Sequence, residues 1–410
     1  MSKCRACGNL LDICLVDLGK SPIANNYLIN VEDIKTEEWL PLRVLVCDNC
    51  WLAQTDYTID PSKLFKNDYS YLSSTSASWL AHSRNHASFL IEKFKLNQKN
   101  FVLEIASNDG YLLESFVSQN IPCLGVEPTE YAAKISEEKH VPTYRGFYNP
   151  ETAQLIRAQH READIIIANN VLAHVPNPTD LLTAIRQGLS VNGVVSLEFP
   201  HLVALVNGTQ FDTIYHEHYS YFSLSTVVQL AEASGLKVIG ADRLSTHGGS
   251  LRVYMSKYSS CVDLPFETEL QSLLIEEINL QVKSPLFYGD FQGKVIQIKS
   301  DLLGYIRKTK SEGLKIAAYG AAAKGNTLLN YLGLTSDSIS FVVDKSPSKQ
   351  GKYLPGSHIP ITNEASILKE KPDIVLILPW NLESELVKQL AYIKNYGGKL
   401  VVPLPQLRVL

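Results

Sequence analysis

No part of the chain approaches the roughly 18 consecutive apolar residues of a membrane span, and the start, Met1-Ser-Lys-Cys-Arg5, has no apolar signal core. Excess positive charge is missing too. The formal net charge is -4, which gives no general pull toward nucleic acid or an acidic membrane, so any phosphate has to be held by local groups. There is no internal repeat and no low-complexity segment. These absences lead us to expect a cytoplasmic chain with neither nucleic acid nor membrane as partner. Cysteine is scarce: the seven form an odd set, four of them in paired spacing, which suits metal thiolates in a reducing compartment better than disulfides. What remains is 45% apolar and 20% charged, an ordinary globular composition. At 410 residues it is too long for one core, so two or three domains are expected.

Cys4-Arg-Ala-Cys7 and Cys47-Asp-Asn-Cys50 are both C-x-x-C, the spacing at which a tight turn offers two thiolates to one tetrahedral ion. A redox reading of one pair leaves the other unexplained. Four thiolates close the coordination shell, so the expectation is a structural Zn2+ that organises the fold. The 39 residues between the pairs exceed ribbon spacing and call for a hairpin or loop around Ser21 to Trp39. Cys14, Cys123 and Cys261 read as small core residues. The polar, serine-rich stretch Asn67 to Trp79 marks a loop and helix cap before a helical pattern over Trp79 to Phe94. Its Tyr69 and Tyr71 either pack at a domain junction or face a ligand.

Asn100 to Leu113 reads as a buried strand ending near Glu104, a tight loop Ala106-Ser-Asn108-Asp109-Gly110, then a helix. A second strand, Pro122 to Pro128, carries Glu127 at its carboxyl end, where an acid can grip both ribose hydroxyls. The loop is not G-x-G-x-x-G, because Ala106 stands at the first glycine and no third follows, and no Lys follows Gly110 as in a phosphate loop. Close approach to a pyrophosphate is therefore lost, and Glu104 would repel one. A positively charged nucleoside without phosphate fits better, which is S-adenosylmethionine. Further strands at 163–168 and 193–199, with a helix over Pro178 to Leu189, continue a parallel α/β sheet. Asn169 and Asn170 join the cofactor candidates, and His174 either faces the same crevice or caps a turn.

Thr213 to Ser223 packs two imidazoles, one carboxylate and three phenols into eleven residues. Burying such groups without partners costs roughly 2–7 kcal/mol each, so the density points to proton chemistry. His218 reads as a base and Glu217 as the carboxylate that tunes it. A metal cluster is the weaker reading, since His216 and His218 would point to opposite faces of an extended chain. A satisfied polar loop is the plain alternative. Further on, His247-Gly-Gly249-Ser250-Leu-Arg252 offers glycine amides, a hydroxyl and a guanidinium, the elements of a diphosphate grip.

Leu264 to Lys310 is helical and charged, a bridge. Lys315 to Thr327 then opens a second small α/β unit with strands at 339–344, 373–378 and 399–403. Gly320-x-x-x-x-Gly325 imitates a phosphate loop, yet Asn326 stands where the lysine belongs, which excludes ATP hydrolysis. A dinucleotide site with Asp344 as its ribose acid is the rival, with the wrong glycine spacing. Gly320, Lys324 and Gly325 remain as substrate contacts.

Together, the two cysteine pairs, Glu104-Ile-Ala-Ser-Asn-Asp-Gly110, Tyr215-His-Glu217-His218-Tyr-Ser-Tyr221-Phe-Ser and His247-Gly-Gly-Ser-Leu-Arg252 resemble the deoxysugar C-methyltransferases, from Cys4 to the carboxyl terminus. The resemblance implies an α/β fold: a zinc-binding module (1–66), a Rossmann-like class I methyltransferase domain (67–262), then a helical linker and Rossmann-like domain that helps enclose the nucleotide-sugar (263–410). It implies methyl transfer from S-adenosylmethionine to a carbon, usually C3, of a dTDP- or GDP-linked 4-keto-6-deoxysugar. His218 then takes the base position, with Tyr215 and Glu217 beside it, His174 near the sugar, and Tyr69 or Tyr71 as a further active-site tyrosine; Tyr221, His247, Gly249, Ser250, Arg252 and Lys324 are our candidates for substrate contact. The chemistry agrees, because a proton beside a ketone is acidic and the resulting enolate can attack a sulfonium methyl. Methylation at C5, a NAD-dependent oxidoreductase using the Gly320 loop, and an inactive zinc-ribbon adaptor are the alternatives. Oligomeric state stays open, a monomer included.

Overall fold

A computed structural model describes residues 2–65, 72–262 and 267–410; Tyr69 and Tyr71 lie outside the described residues. The strand Leu40–Cys47 shows how the molecule is put together. Side chains alternate across a strand. Here Leu42, Val44 and Val46 enter the core of the carboxyl-terminal unit, whereas Leu45 and Cys47 enter the core of the central unit. The amino-terminal sheet is thus a wedge with an apolar neighbour on each face. Its order is Leu11–Ser21, Leu40–Cys47, Ala53–Thr55 and Ser220–Tyr221, all antiparallel. The fourth strand comes from the segment singled out for proton chemistry.

The four sulfurs of Cys4, Cys7, Cys47 and Cys50 lie within 4.8 Å of one another, with Cys4–Cys50 and Cys7–Cys47 at 3.5 Å. A tetrahedron with bonds of about 2.3 Å has edges of about 3.8 Å, so the set fits a Zn2+. Each pair sits in a turn closed by an amide: Gly8 N–H donates to Cys4 O and Trp51 N–H to Cys47 O. Gly8 and Trp51 both have positive φ, 76° and 60°, a conformation that glycine takes freely and Trp does not. The long spacing between the pairs is a hairpin, as expected. Its excursion, residues 22–39, reaches the carboxyl-terminal unit, where Leu28 bridges Tyr353 and Glu37 accepts from Gly356 N and His358 Nε2 at 2.8 Å each.

The central sheet has the order 236–244, 250–257, 189–200, 163–169, 102–105, 123–127, 143–145. The last five strands are parallel and 250–257 runs antiparallel to 189–200. Strand 163–169 is buried on both faces, so its Ile165-Ile-Ile-Ala168 run is continuous rather than alternating. Strand order reverses between 102–105 and 163–169, and ligands in such sheets bind outside the carboxyl ends at that point. There Ala106, Asn108 and Gly110 take φ of 52°, 51° and 75°. The backbone wants a left-handed residue at alternate positions; Ala106 meets this at a cost of about 1–2 kcal/mol. Gly125 on the next strand allows the loop to close, because a Cβ there would lie 2.3 Å from Ser107 Oγ.

Helices Glu267–Asn279, Pro285–Tyr288 and Phe291–Ser311 lead to the carboxyl-terminal sheet, in the order 361–362, 342–343, 316–319, 374–377, 399–402, 408–409. Only the last strand is antiparallel. The two-residue strands 361–362 and 408–409 are too short to leave a pattern. Cys14 and Cys261 are exposed, against the core role expected of them; only Cys123 of that trio is buried. Among the described residues no helix is long and apolar enough to cross a membrane.

Metal stripping, or Cys47→Ser, is expected to lower the melting temperature by about 10 °C or more, with one zinc per chain in the native protein by elemental analysis. Gly125→Ala should cost about 1–3 kcal/mol in denaturant titrations and weaken cofactor binding in calorimetry, whereas Ala106→Gly should change stability by less than about 1 kcal/mol.

Candidate active site

The segment between Phe211 and Phe222 is held from all sides. Tyr219 N–H donates to Ala173 O (2.8 Å) on the central sheet side, and Tyr219 OH to Ile59 O (2.6 Å) in the amino-terminal unit. Thr327 Oγ1 of the carboxyl-terminal unit donates to Ile214 O (2.9 Å). Ala53 and Gln54 pair with Tyr221 and Ser220. The segment is therefore a buried turn rather than an extended strand, and its polar side chains have fixed partners.

His218 Nδ1–H donates to the Thr213 carbonyl at 2.8 Å, which sets the tautomer and leaves Nε2 as the basic nitrogen. Tyr215 OH lies 2.7 Å from that Nε2 and donates to it. His174 packs edge-on with ring centres 4.7 Å apart, and its own Nδ1–H donates to Glu217 O at 2.7 Å. Tyr221 packs edge-on to His218 at 6.1 Å. Burial, reinforced by the neighbouring His174, holds the His218 imidazole well below the usual range, and burial brings His174 down to about 4. Both rings are neutral at physiological pH and able to accept a proton.

Glu217 does not tune His218, contrary to the sequence reading. Its Oε1 accepts from Asn25 N (3.2 Å) and Nδ2 (3.0 Å), and Oε2 is buried with no hydrogen-bond partner among the described residues. Burial raises its carboxyl, against the pull of its own amide and of Asn25. The tuning of His218 comes instead from the Thr213 carbonyl, which no side-chain pattern can reveal. His216 is anchored to Pro41 O at 3.1 Å and faces the amino-terminal unit, which removes it from any metal cluster.

At the switch point, Glu104 Oε2, both amide atoms of Asn169 and Asn170 Oδ1 are buried without partners among the described residues. Most are acceptors, which suits a ligand carrying an ammonium and a sulfonium. Burial keeps the Glu104 carboxyl well above its usual range, with Asp109 and Glu127 adding to the effect, so a cation would be welcome. Glu127 accepts from Asn108 N (2.9 Å) and Thr129 N (2.8 Å), anchoring the loop at the strand end where ribose hydroxyls bind. Asn108 Oδ1 accepts from Ser73 N (2.8 Å), and Asp109 pairs with Lys139 at 3.2 Å. Gly110 packs against Ser136. These residues fit S-adenosylmethionine.

The 247–252 patch differs from expectation. Arg252 pairs with Glu198 on the adjacent strand, and His82 Nε2 lies 2.7 Å from the same carboxylate. Burial pushes Glu198 up; His82 and Arg252 outweigh it and hold the carboxyl below its usual range. Ser250 Oγ donates to Thr246 O, and the amide and carbonyl of Gly249 bond Thr246 O and His201 N. A buried carboxylate needs its cation, so Gly249, Ser250 and Arg252 are committed inside the protein and form no diphosphate grip. His247 does reach the site: its Nε2 accepts from Asn170 Nδ2 (3.1 Å) and its carbonyl from Lys324 Nζ (3.2 Å). Lys324 lies over Trp380 at 4.8 Å, and Asp212 accepts from Trp380 Nε1 at 2.7 Å. Burial brings the Lys324 ammonium down, opposed by Asp212; burial raises Asp212 to about 6. Asp344, the acid of a dinucleotide reading, is committed to Ala321 N and Ser346 N, while Gly320 and Gly325 pack against Pro379 and Leu378. Sequence reasoning missed Asn25, Asp212, Trp380 and the His82–Glu198 pair; each gains its meaning from a partner far along the chain.

Residues 4–65 match a family described as a zinc binding domain, 80–241 a methyltransferase domain, and 245–405 a C-methyltransferase C-terminal domain. The C-methyltransferase NovU of Streptomyces niveus is 32% identical over 410 residues, covering 100% of this chain and 97% of that protein. Among solved structures, the CcbJ methyltransferase of Streptomyces caelestis matches at 13% identity and TM-score 0.34, over 43% of this chain and 89% of that one. The magnesium protoporphyrin IX methyltransferase of Synechocystis PCC 6803, with bound SAH, matches at 12% identity and TM-score 0.36, over 43% and 83%. With the three matched regions following one another along the chain and a relative 32% identical over its whole length, the chain belongs to the S-adenosylmethionine-dependent C-methyltransferases.

Proposed function

We propose that the enzyme methylates C3 of a dTDP- or GDP-linked 4-keto-6-deoxysugar in the cytoplasm, with His218 as the base. The observation that carries this reading is the pair of neutral, tautomer-fixed imidazoles, His218 and His174, enclosed by Tyr215 and Tyr221 beside the cofactor crevice. When bound, S-adenosylmethionine supplies an electrophilic methyl on a sulfonium. The chain's own task is to make and hold a carbanion equivalent. The Tyr215 hydroxyl turns from Nε2 to the ketone oxygen, which frees the single Nε2 lone pair to take the proton beside the ketone; the electron pair of that C–H bond passes into the enolate, whose oxygen the same hydroxyl then holds. One well-placed donor of this kind contributes roughly 3–4 kcal/mol. Glu217 Oε2, buried and unpaired, suits a sugar hydroxyl. Lys324, whose charge is felt at His218, supplies a cation for the diphosphate, with His247 beside it. In this reading residues 1–66 form the zinc module, 67–262 the methyltransferase domain and 263–410 the unit that closes over the nucleotide-sugar.

Incubation with methyl-13C S-adenosylmethionine and dTDP-4-keto-6-deoxyglucose should place the label on C3 by NMR; label on C5 would move the chemistry to the other side of the ketone, and no label would reject the reading. His218→Ala should lower kcat by about 10²–10⁴-fold and Tyr215→Phe by about 10²–10³-fold, with cofactor affinity by calorimetry little changed.

The pH dependence follows from the depressed imidazoles. An unfolded histidine titrates near 6.5, whereas His174 titrates near 4 in the fold. Between those values the unfolded chain binds the proton and the native one does not, so stability should be full above about pH 6.5 and fall as pH drops toward 4. Over the same range His218 should add no limb to kcat near 6.5, because the base is already neutral; a limb there that persists in Glu217→Gln would contradict the assignment.

A further inference from the structure

The excursion of the amino-terminal hairpin does more than brace the carboxyl-terminal unit. Asn25 places both its backbone N–H and its side-chain amide on Glu217 Oε1, at 3.2 and 3.0 Å, across 192 residues of sequence. Asn25 is itself fixed: Asn326 Nδ2 donates to the preceding carbonyl, Ala24 O (2.6 Å), and Tyr27 OH donates to Ala321 O (2.7 Å) within 3.5 Å of Asn25 Oδ1. Lys349 closes the same corner, donating to Ala321 O and lying over the Tyr27 ring. Glu217 is 1% exposed, so two fixed donors on one oxygen decide where the other oxygen points.

We propose that Asn25 is a positioning residue for the methyl transfer, acting through Glu217. It holds one carboxylate oxygen so that the other, unpaired and buried, is presented to a hydroxyl of the sugar. The proposal rests on the reading of Glu217 as a substrate contact. An ionised carboxylate in this spot needs help, since burial favours its neutral form and a protonated Glu217 would no longer offer two acceptor oxygens. The titratable groups around it give little. Tyr27 comes from the excursion, Tyr219 and Tyr221 from its own segment, and His174, neutral, donates to its backbone carbonyl and not to its carboxylate. Among the described residues no cation shifts its titration, and the two Asn25 donors are the chief external support for the charge.

The test compares Asn25→Ala, the isosteric Asn25→Asp, Glu217→Gln and the double variants, using full-length zinc-loaded enzyme and the keto-sugar above. Zinc content and cofactor affinity report whether each folds. Removing or inverting the side-chain donor makes Glu217 easier to protonate, so the acid limb of kcat should move up by about one pH unit. kcat near neutrality should fall about tenfold or more, with KM for the sugar changed much less. In the Glu217→Gln background, Asn25→Ala should produce no further shift of the limb. A wild-type profile in both Asn25 variants, with Glu217→Gln impaired, overturns the role of Asn25 and leaves Glu217 standing. A fully active Glu217→Gln overturns both, while the His218 assignment is judged by its own variant. Equal loss in Asn25→Ala with and without Glu217 would show a merely structural effect and also overturns the proposal.

Discussion

Two residues of antiparallel pairing, Ala53 with Tyr221 and Gln54 with Ser220, tie the buried segment to a sheet whose far end is clamped by four thiolates. Gln54 bridges the two: its amide lies 3.1 Å from Cys4 Sγ and its carbonyl accepts from Arg5 N. Arg5 in turn donates to the carbonyls of Thr55 and Tyr219. The cysteine-held turn thereby reaches Tyr219, the residue next to His218, through the side chains of Gln54 and Arg5. Because the two faces of the sheet feed two different cores, any shift of the strand Leu40–Cys47 would be felt on both sides.

Charge is sorted across the site. Glu104, Asp109 and Glu127 gather at the strand ends where the cofactor fits, and Lys324 is grouped with three neutral imidazoles, His174, His218 and His247. The carboxylates suit a cationic cofactor, and the Lys324 group suits the anionic substrate proposed above. Keeping the imidazoles neutral costs stability only in acid, so the arrangement is stable where the chemistry runs.

The sequence carried the metal set outright, because C-x-x-C spacing is local. The loop at the switch point was legible for the same reason: Glu104 to Gly110 is one turn after one strand. The left-handed backbone at Ala106 and Asn108 explains how the loop works without the usual glycines. Roles that depend on distant partners were misread. Arg252 looked like a ligand cation until the register put it opposite Glu198. Glu217 looked like a tuner of its neighbour until a turn aimed it at Asn25. Neighbours in sequence face apart in a turn, and the true partner of His218 is a carbonyl five residues back. Strands of two residues, such as Ser220–Tyr221, leave no period to detect, so the link between zinc module and active site was invisible.

The central claim is that an enolate forms at a centre built around His218. The most direct measurement is wash-in of solvent deuterium at the carbon beside the ketone, followed by NMR on the nucleotide-linked 4-keto-6-deoxysugar with S-adenosylhomocysteine in place of the methyl donor. The account predicts exchange at C3 with the native enzyme and none above background with His218→Ala. Undiminished exchange in that variant, or no exchange with the native enzyme under conditions where it turns over, would contradict it.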